Sequence, residues 1–83
     1  ITALVECEVY RTKEREFKAL VLSLEEVIDC YNVTGPSAFM LRVAVTSMSK
    51  LDELLERLID LSDTRTMMVL AQPVKRGMPL NIN

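Results

Sequence analysis

The chain has 83 residues, of which 49% are hydrophobic, with 10 basic and 12 acidic residues, two cysteines and no histidine. That length makes one domain with a marginal core, and the cysteine and histidine counts rule out a dense disulfide frame or a Cys/His zinc cluster. A net charge of −2 argues against this chain gripping nucleic acid by itself, and no uncharged apolar run approaches the roughly 20 residues of a membrane span.

Residues 1–10 alternate. Ile1, Ala3, Val5, Cys7 and Val9 share one side, and Thr2, Leu4, Glu6, Glu8 and Tyr10 share the other, which predicts a strand. Thr12 is placed to cap a helix whose first turn holds Glu14 and Glu16. Phe17, Leu20, Val21 and Leu24 form its apolar stripe, Glu14 and Lys18 pair at i,i+4, and the helix is expected to end near Ser23.

Residues 26–34 are rich in strand formers, and Gly35-Pro36-Ser37 breaks them. Residues 38–46 read as the next strand. Phe39, Leu41, Val43 and Val45 face one side, and Ala38, Met40, Arg42 and Ala44 the other. Ser49 is expected to cap a second helix, with Asp52 completing a capping-box variant. Its stripe is Leu51, Leu54, Leu55 and Leu58, and Glu53 and Arg57 are spaced to pair. The helix is expected to fade by Leu61-Ser62-Asp63. Residues 64–73 are the last predicted strand, and residues 74–83 a polar tail.

The order is β-α-β-β-α-β. With right-handed crossovers it predicts an α+β, ferredoxin-like sandwich: a four-stranded antiparallel sheet with two helices on one face. Leu4, Glu6, Glu8, Tyr10, Met40 and Arg42 then fall on the open face of the sheet. Mixed apolar and charged groups suit an isologous dimer interface, where carboxylates of one subunit meet the arginine of the other. Oligomerisation is also the remaining route to stability for so small a core. Five methionines supply adaptable contact surface.

Two segments at one end of the sheet are candidates for a ligand site. The hairpin Thr34-Gly35-Pro36-Ser37-Ala38 offers a stiff loop with backbone donors at Ser37 and Ala38, where a carboxylate can approach a residue without a side chain. The simpler reading is that Gly35 only permits a tight turn. Thr64 and Thr66 alternate onto one side of the last strand. They are either ordinary strand residues or two hydroxyls for a carboxylate. Arg65 points the other way and suits a salt bridge between subunits. Cys7 and Cys30 read as small buried hydrophobes. Glu6 and Glu8 look like interface charges rather than a catalytic pair. The lack of histidine and of any metal-ligand or phosphate-loop motif predicts no enzyme and no cofactor.

The element order, Cys30-Tyr31-Asn32-Val33-Thr34-Gly35 at the hairpin, Thr64-Arg65-Thr66 and the tail Val74-Lys75-Arg76-Gly77-Met78-Pro79-Leu80 together resemble the effector domain of the Lrp/AsnC family of transcription regulators. The resemblance implies dimers formed through the sheet, four dimers joining in an octameric ring, and an amino-acid effector bound between dimers near the hairpin and the last strand. It also implies a helix-turn-helix domain N-terminal to this one, with DNA contacted only through that domain. With no methionine before Ile1, the chain reads as residues 1–74 of an effector-binding domain plus a tail, 75–83, cut from such a cytoplasmic regulator. The alternative is a stand-alone, ring-forming sensor that does not bind DNA. The family loop often reads Thr-Gly-x-x-Asp, whose carboxylate helps hold the ligand's amino group. Ala38 stands at that position here. Either another carboxylate such as Asp29 or Asp63 serves, or the ligand is not a standard amino acid, or the site is silent.

Overall fold

The structure is a computed structural model that describes residues 1–35 and 38–76. Its elements are β1 (Thr2–Val9), α1 (Glu14–Ser23), β2 (Val27–Asn32), β3 (Ala38–Ala44), α2 (Met48–Leu58) and β4 (Ser62–Met68). The strands form one sheet in the order β2-β3-β1-β4, and every neighbouring pair is antiparallel. Each helix therefore joins two parallel strands that have a third between them. This is the expected ferredoxin-like sandwich.

Alternation in the two central strands decides where the core lies. Ala3, Val5, Cys7 and Val9 of β1 and Phe39, Leu41 and Val43 of β3 are buried on one side, together with Val45 just beyond. Phe17, Val21 and Leu24 come down onto them from the first helix, and Leu51, Leu54 and Leu58 from the second. Phe17 and Phe39 pack with ring centres 5.1 Å apart and planes tilted by 43°, a geometry that aromatic quadrupoles favour. The only buried polar side chain among the described residues, Ser62, donates its hydroxyl to the Leu58 carbonyl at 2.9 Å. Among the described residues, no helix is long and apolar enough to cross a membrane.

The helix starts differ from expectation. Ser47, not Ser49, caps α2: its extended backbone lets the hydroxyl accept the Lys50 N–H at 3.2 Å. That satisfies an amide of the first turn that has no partner within the helix. Thr12 does not cap α1. Its place is taken by a turn in which the Lys13 N–H donates to the Tyr10 carbonyl at 2.9 Å, and Lys13 becomes the N-cap without a side-chain bond. The Glu14/Lys18 pair forms at 3.5 Å, whereas Glu53 pairs with Lys50 at 3.7 Å rather than with Arg57.

Strand limits follow the partner strand. The last strand begins at Ser62, earlier than its polar sequence suggested, because Ser62 lies opposite Val9. It ends at Met68 rather than Pro73, since β1 offers only one further bond, from the Val69 N–H to the Thr2 carbonyl. β2 is also shorter than residues 26–34, and it is irregular. Val27 lies opposite Val43 and Asp29 opposite Arg42, so Ile28 is an extra, bulged residue. The bulge reverses the side-chain alternation. It turns Val27 to the core and leaves Asp29 and Tyr31 on the open face.

Cys7 is buried as expected, but Cys30 is exposed, on the helix side of edge strand β2. Burial pushes the Cys7 thiol up to about 11, and the hydrogen bond to Ser62 only partly opposes it. An alkylating reagent should therefore label one thiol per folded chain and two after denaturation, as read by intact mass; equal labelling of both in the folded chain would contradict this placement. In chemical denaturation, Ser47→Ala should cost about 1 kcal/mol while Ser49→Ala should be close to neutral.

Candidate functional site

The hairpin and the start of β4 lie at the same end of the sheet. One cross-strand row runs through Asn32, Phe39, Cys7 and Thr64, and the row beyond it, on the open face, holds Ala38, Glu8 and Asp63. The Val33 N–H donates to the Ala38 carbonyl at 3.0 Å and closes the loop. Gly35 sits at φ +118°, where a side chain would be strained even though a Cβ would meet only that of Ala38, at 3.7 Å. Backbone conformation, not space, therefore requires glycine here. Thr34 and Gly35 are exposed and Ala38 is half-buried. Pro36 and Ser37, expected to complete the loop site, lie outside the described residues.

Thr64 and Thr66 face the helix side, opposite Cys7 and Val5, and both are half-buried. β1 separates β4 from β3, so the two candidate groups stand at least two strand spacings apart, about 10 Å. No hydrogen bond or ion pair among the described residues joins them. Around the start of β4 there is only a shallow depression of about 190 Å³, lined by Glu6, Glu8, Asp63, Thr64 and Arg65.

The two carboxylates that might replace the one missing at Ala38 differ. Asp29 is held by Arg42, whose Nε donates to Oδ2 at 2.6 Å across the β2–β3 pair. Asp63 accepts the Tyr10 hydroxyl at 2.9 Å and stands beside Glu8. That bond favours the protonated phenol and raises the Tyr10 pKa. Both carboxylates keep a free oxygen, but the charge of Asp29 is matched by a guanidinium and that of Asp63 only by a neutral phenol.

Leu4, Glu6, Glu8, Met40 and Arg42 occupy the sheet face that the helices leave open, and Tyr10 follows β1 at its edge. Leu4, Glu6 and Met40 are half-buried, while Glu8, Tyr10 and Arg42 are exposed. Two ion pairs on this face form within the chain, Arg42 with Asp29 and Arg65 with Glu6 at 3.7 Å, while Glu8 and Asp63 have no cationic partner among the described residues. Sequence reasoning had kept Arg65 for a partner and missed both pairs. The Arg65/Glu6 pair follows once β1 and β4 are in register. The Arg42/Asp29 pair depends on the bulge at Ile28, for which a single sequence gives little warning.

The model of the Lrp/AsnC ligand binding domain matches residues 2–79. Among solved structures, B. subtilis LrpC aligns with TM-score 0.83 at 19% identity, over 90% of this chain and 54% of that one. The feast or famine regulatory protein Rv3291c of M. tuberculosis, complexed with L-methionine, aligns with TM-score 0.75 at 26% identity, over 94% of this chain and 55% of that one. The chain thus spans about half the length of these two proteins. TTHA0845 from Thermus thermophilus aligns with TM-score 0.75 at 22% identity, over 90% of this chain and 99% of that one. No curated protein sequence matches the chain. With more than half of its residues matched by the family model, the chain belongs to the Lrp/AsnC family and carries that family's ligand-binding fold.

Proposed function

We propose that this domain senses a small effector, an amino acid, at a site shared between subunits, and couples its binding to assembly. In a parent protein with a DNA-binding domain, assembly would set the spacing of those domains and so regulate transcription. The observation that carries this reading is the separation within one chain of the two candidate groups. The hairpin residues Thr34, Gly35, Pro36, Ser37 and Ala38 belong to one side of the sheet end, and Thr64 and Thr66 to the other. Neither encloses a small molecule alone. A second copy that brings its hairpin to this β4, or its β4 to this hairpin, would close the site.

A ligand that binds only the assembled form stabilises it by mass action, and the coupling works in both directions. The family match and the L-methionine complex of Rv3291c support an amino acid as the class of ligand. Asp63, whose charge no cation matches among the described residues, is the better candidate than Asp29 for the ligand's ammonium group.

Dimerisation through the open face uses Leu4, Glu6, Glu8, Tyr10, Met40 and Arg42. Arg42 and Glu6 already have partners in their own chain, the carboxylates of Glu8 and Asp63 lie toward one end of the face, and Leu4, Met40 and the exposed Met67 supply the apolar contact. Octamers then arise as rings of four dimers.

A second reading is a stand-alone sensor without DNA binding. It is favoured by TTHA0845, almost all of which is spanned by a chain of this length. A helix-turn-helix segment encoded directly upstream in the same reading frame would eliminate it.

Calorimetric titration with the common amino acids tests the sensor reading. Ala38→Asp, which restores a carboxylate at the hairpin, should tighten binding of an amino acid by about tenfold or more, the worth of one charge-assisted hydrogen bond. An affinity unchanged by this substitution would place the ammonium group elsewhere.

A further inference from the structure

The core does not use every apolar residue of α1. Phe17 and Val21 are buried against the sheet, whereas Leu22 is 88% exposed. Between this part of α1 and edge strand β2 lies a depression of about 280 Å³, lined by Lys18, Val21, Leu22, Cys30, Asn32 and Phe39. Past Val21, Leu22 and Cys30 it runs into a second depression of about 210 Å³ that reaches Val27 and Ile28. The two form one trough along the seam between helix and strand.

The walls of the trough are mostly apolar, and its uncommitted charge lies at the end nearer the hairpin. Asn32 is the last residue of β2 and pairs with Phe39, one position from Ala38. The Lys18 ammonium stands 5.9 Å from the centre of the Phe39 ring. It also acts on Cys30, where it opposes the rise in thiol pKa that burial causes. Its ion pair with Glu14, at 3.5 Å, is loose and exposed, so another carboxylate can compete for it. Asp29, at the other end of the trough, is already matched by Arg42. Apolar walls with a few polar groups that fix orientation are the usual make-up of a small-molecule site. A closed apolar cavity of roughly 150 Å³ holds benzene, so the larger depression, although open on one side, has room for one apolar side chain.

On the basis of the sensor reading, we propose that this trough takes the side chain of an apolar amino acid, with the Lys18 ammonium on its carboxylate. The depressions beside the hairpin and beside β4 are then complementary halves of one site. The trough of one chain offers apolar walls and a cation. The start of β4 in a second copy offers Asp63, whose charge no cation matches among the described residues, for the amino group. Lys18 repels a basic side chain, and the apolar walls give an acidic one no partner for the water it loses.

Cys30 makes occupancy measurable, because it is exposed in the trough wall while Cys7 is buried. In calorimetric titrations, at least one of L-leucine, L-isoleucine, L-valine, L-methionine and L-phenylalanine should bind more tightly than L-aspartate, L-glutamate, L-lysine or L-arginine. Present at about ten times its dissociation constant, it leaves about a tenth of the sites open and should slow alkylation of Cys30 by iodoacetamide about tenfold. Lys18→Gln should weaken its binding about tenfold or more, and Lys18→Arg should restore it. Glutamine keeps most of the side chain and loses only the charge, so a role in folding alone would not separate the two variants. An apolar amino acid that binds while Cys30 reacts at its free rate, or that binds Lys18→Gln as tightly as the wild type, overturns the proposal and leaves the sensor reading standing. So does tightest binding of a charged amino acid. Binding of none of the nine overturns both.

Discussion

A sheet has two faces, and the described residues supply only two helices to cover them. That constraint governs the rest of the structure. β1, between β3 and β4, sets it residue by residue: Ala3, Val5, Cys7 and Val9 are all buried, while Leu4 and Glu6 on the other side are half-buried at most. Both helices bring their apolar stripes to the first side, where Phe17, Leu51 and Leu58 are almost wholly excluded from water. The second side is left with a mixture of apolar residues and ion pairs. Such a face is tolerable in water, and it is also suited to a partner.

The same topology separates the ligand-binding candidates. Skipping one strand at each crossover puts β2 and β4 at opposite edges, so the hairpin after β2 and the threonines of β4 share an end of the sheet without touching. On the proposed reading, a sensor built this way would gain its site by association, and ligand affinity and self-affinity would share a coupling free energy. The glycine at φ +118° shapes the loop whether or not a ligand is present, so it is weak evidence for binding. The pairing of carboxylates is more telling. The charge of Asp29 is matched by Arg42, whereas Asp63 is held only by a neutral phenol.

Much of this was legible in the sequence because it rests on periodicity. The alternation in residues 1–10 and 38–46 and the leucine stripe of α2 led directly to the core, and the order of elements led to the fold. Where the reading failed, the deciding partner was distant in sequence. Ser47 and Ser49 are both good caps on paper, and only the backbone path out of β3 selects Ser47. The length of β4 is set by how far β1 extends, not by the apolar residues that follow Met68. Cys30 is exposed because it lies on an edge strand that α1 covers only in part, leaving a depression between Lys18, Val21, Leu22 and Cys30. The bulge at Ile28 reverses a side-chain alternation that no local pattern announces, and the Arg42/Asp29 pair depends on it. The hairpin could be located from Gly35-Pro36, but a ligand could not be read from it if, as proposed, a second chain completes the site.

The central claim of the proposed function is that effector binding and self-association are thermodynamically coupled. The most direct measurement is the absolute mass of the chain in solution by light scattering, across a range of concentrations, with and without each amino acid. The account predicts a dimer or larger assembly whose mass distribution shifts with the amino acid that binds. An amino acid bound at full stoichiometry by a monomer, with no change in mass at any concentration, would contradict it.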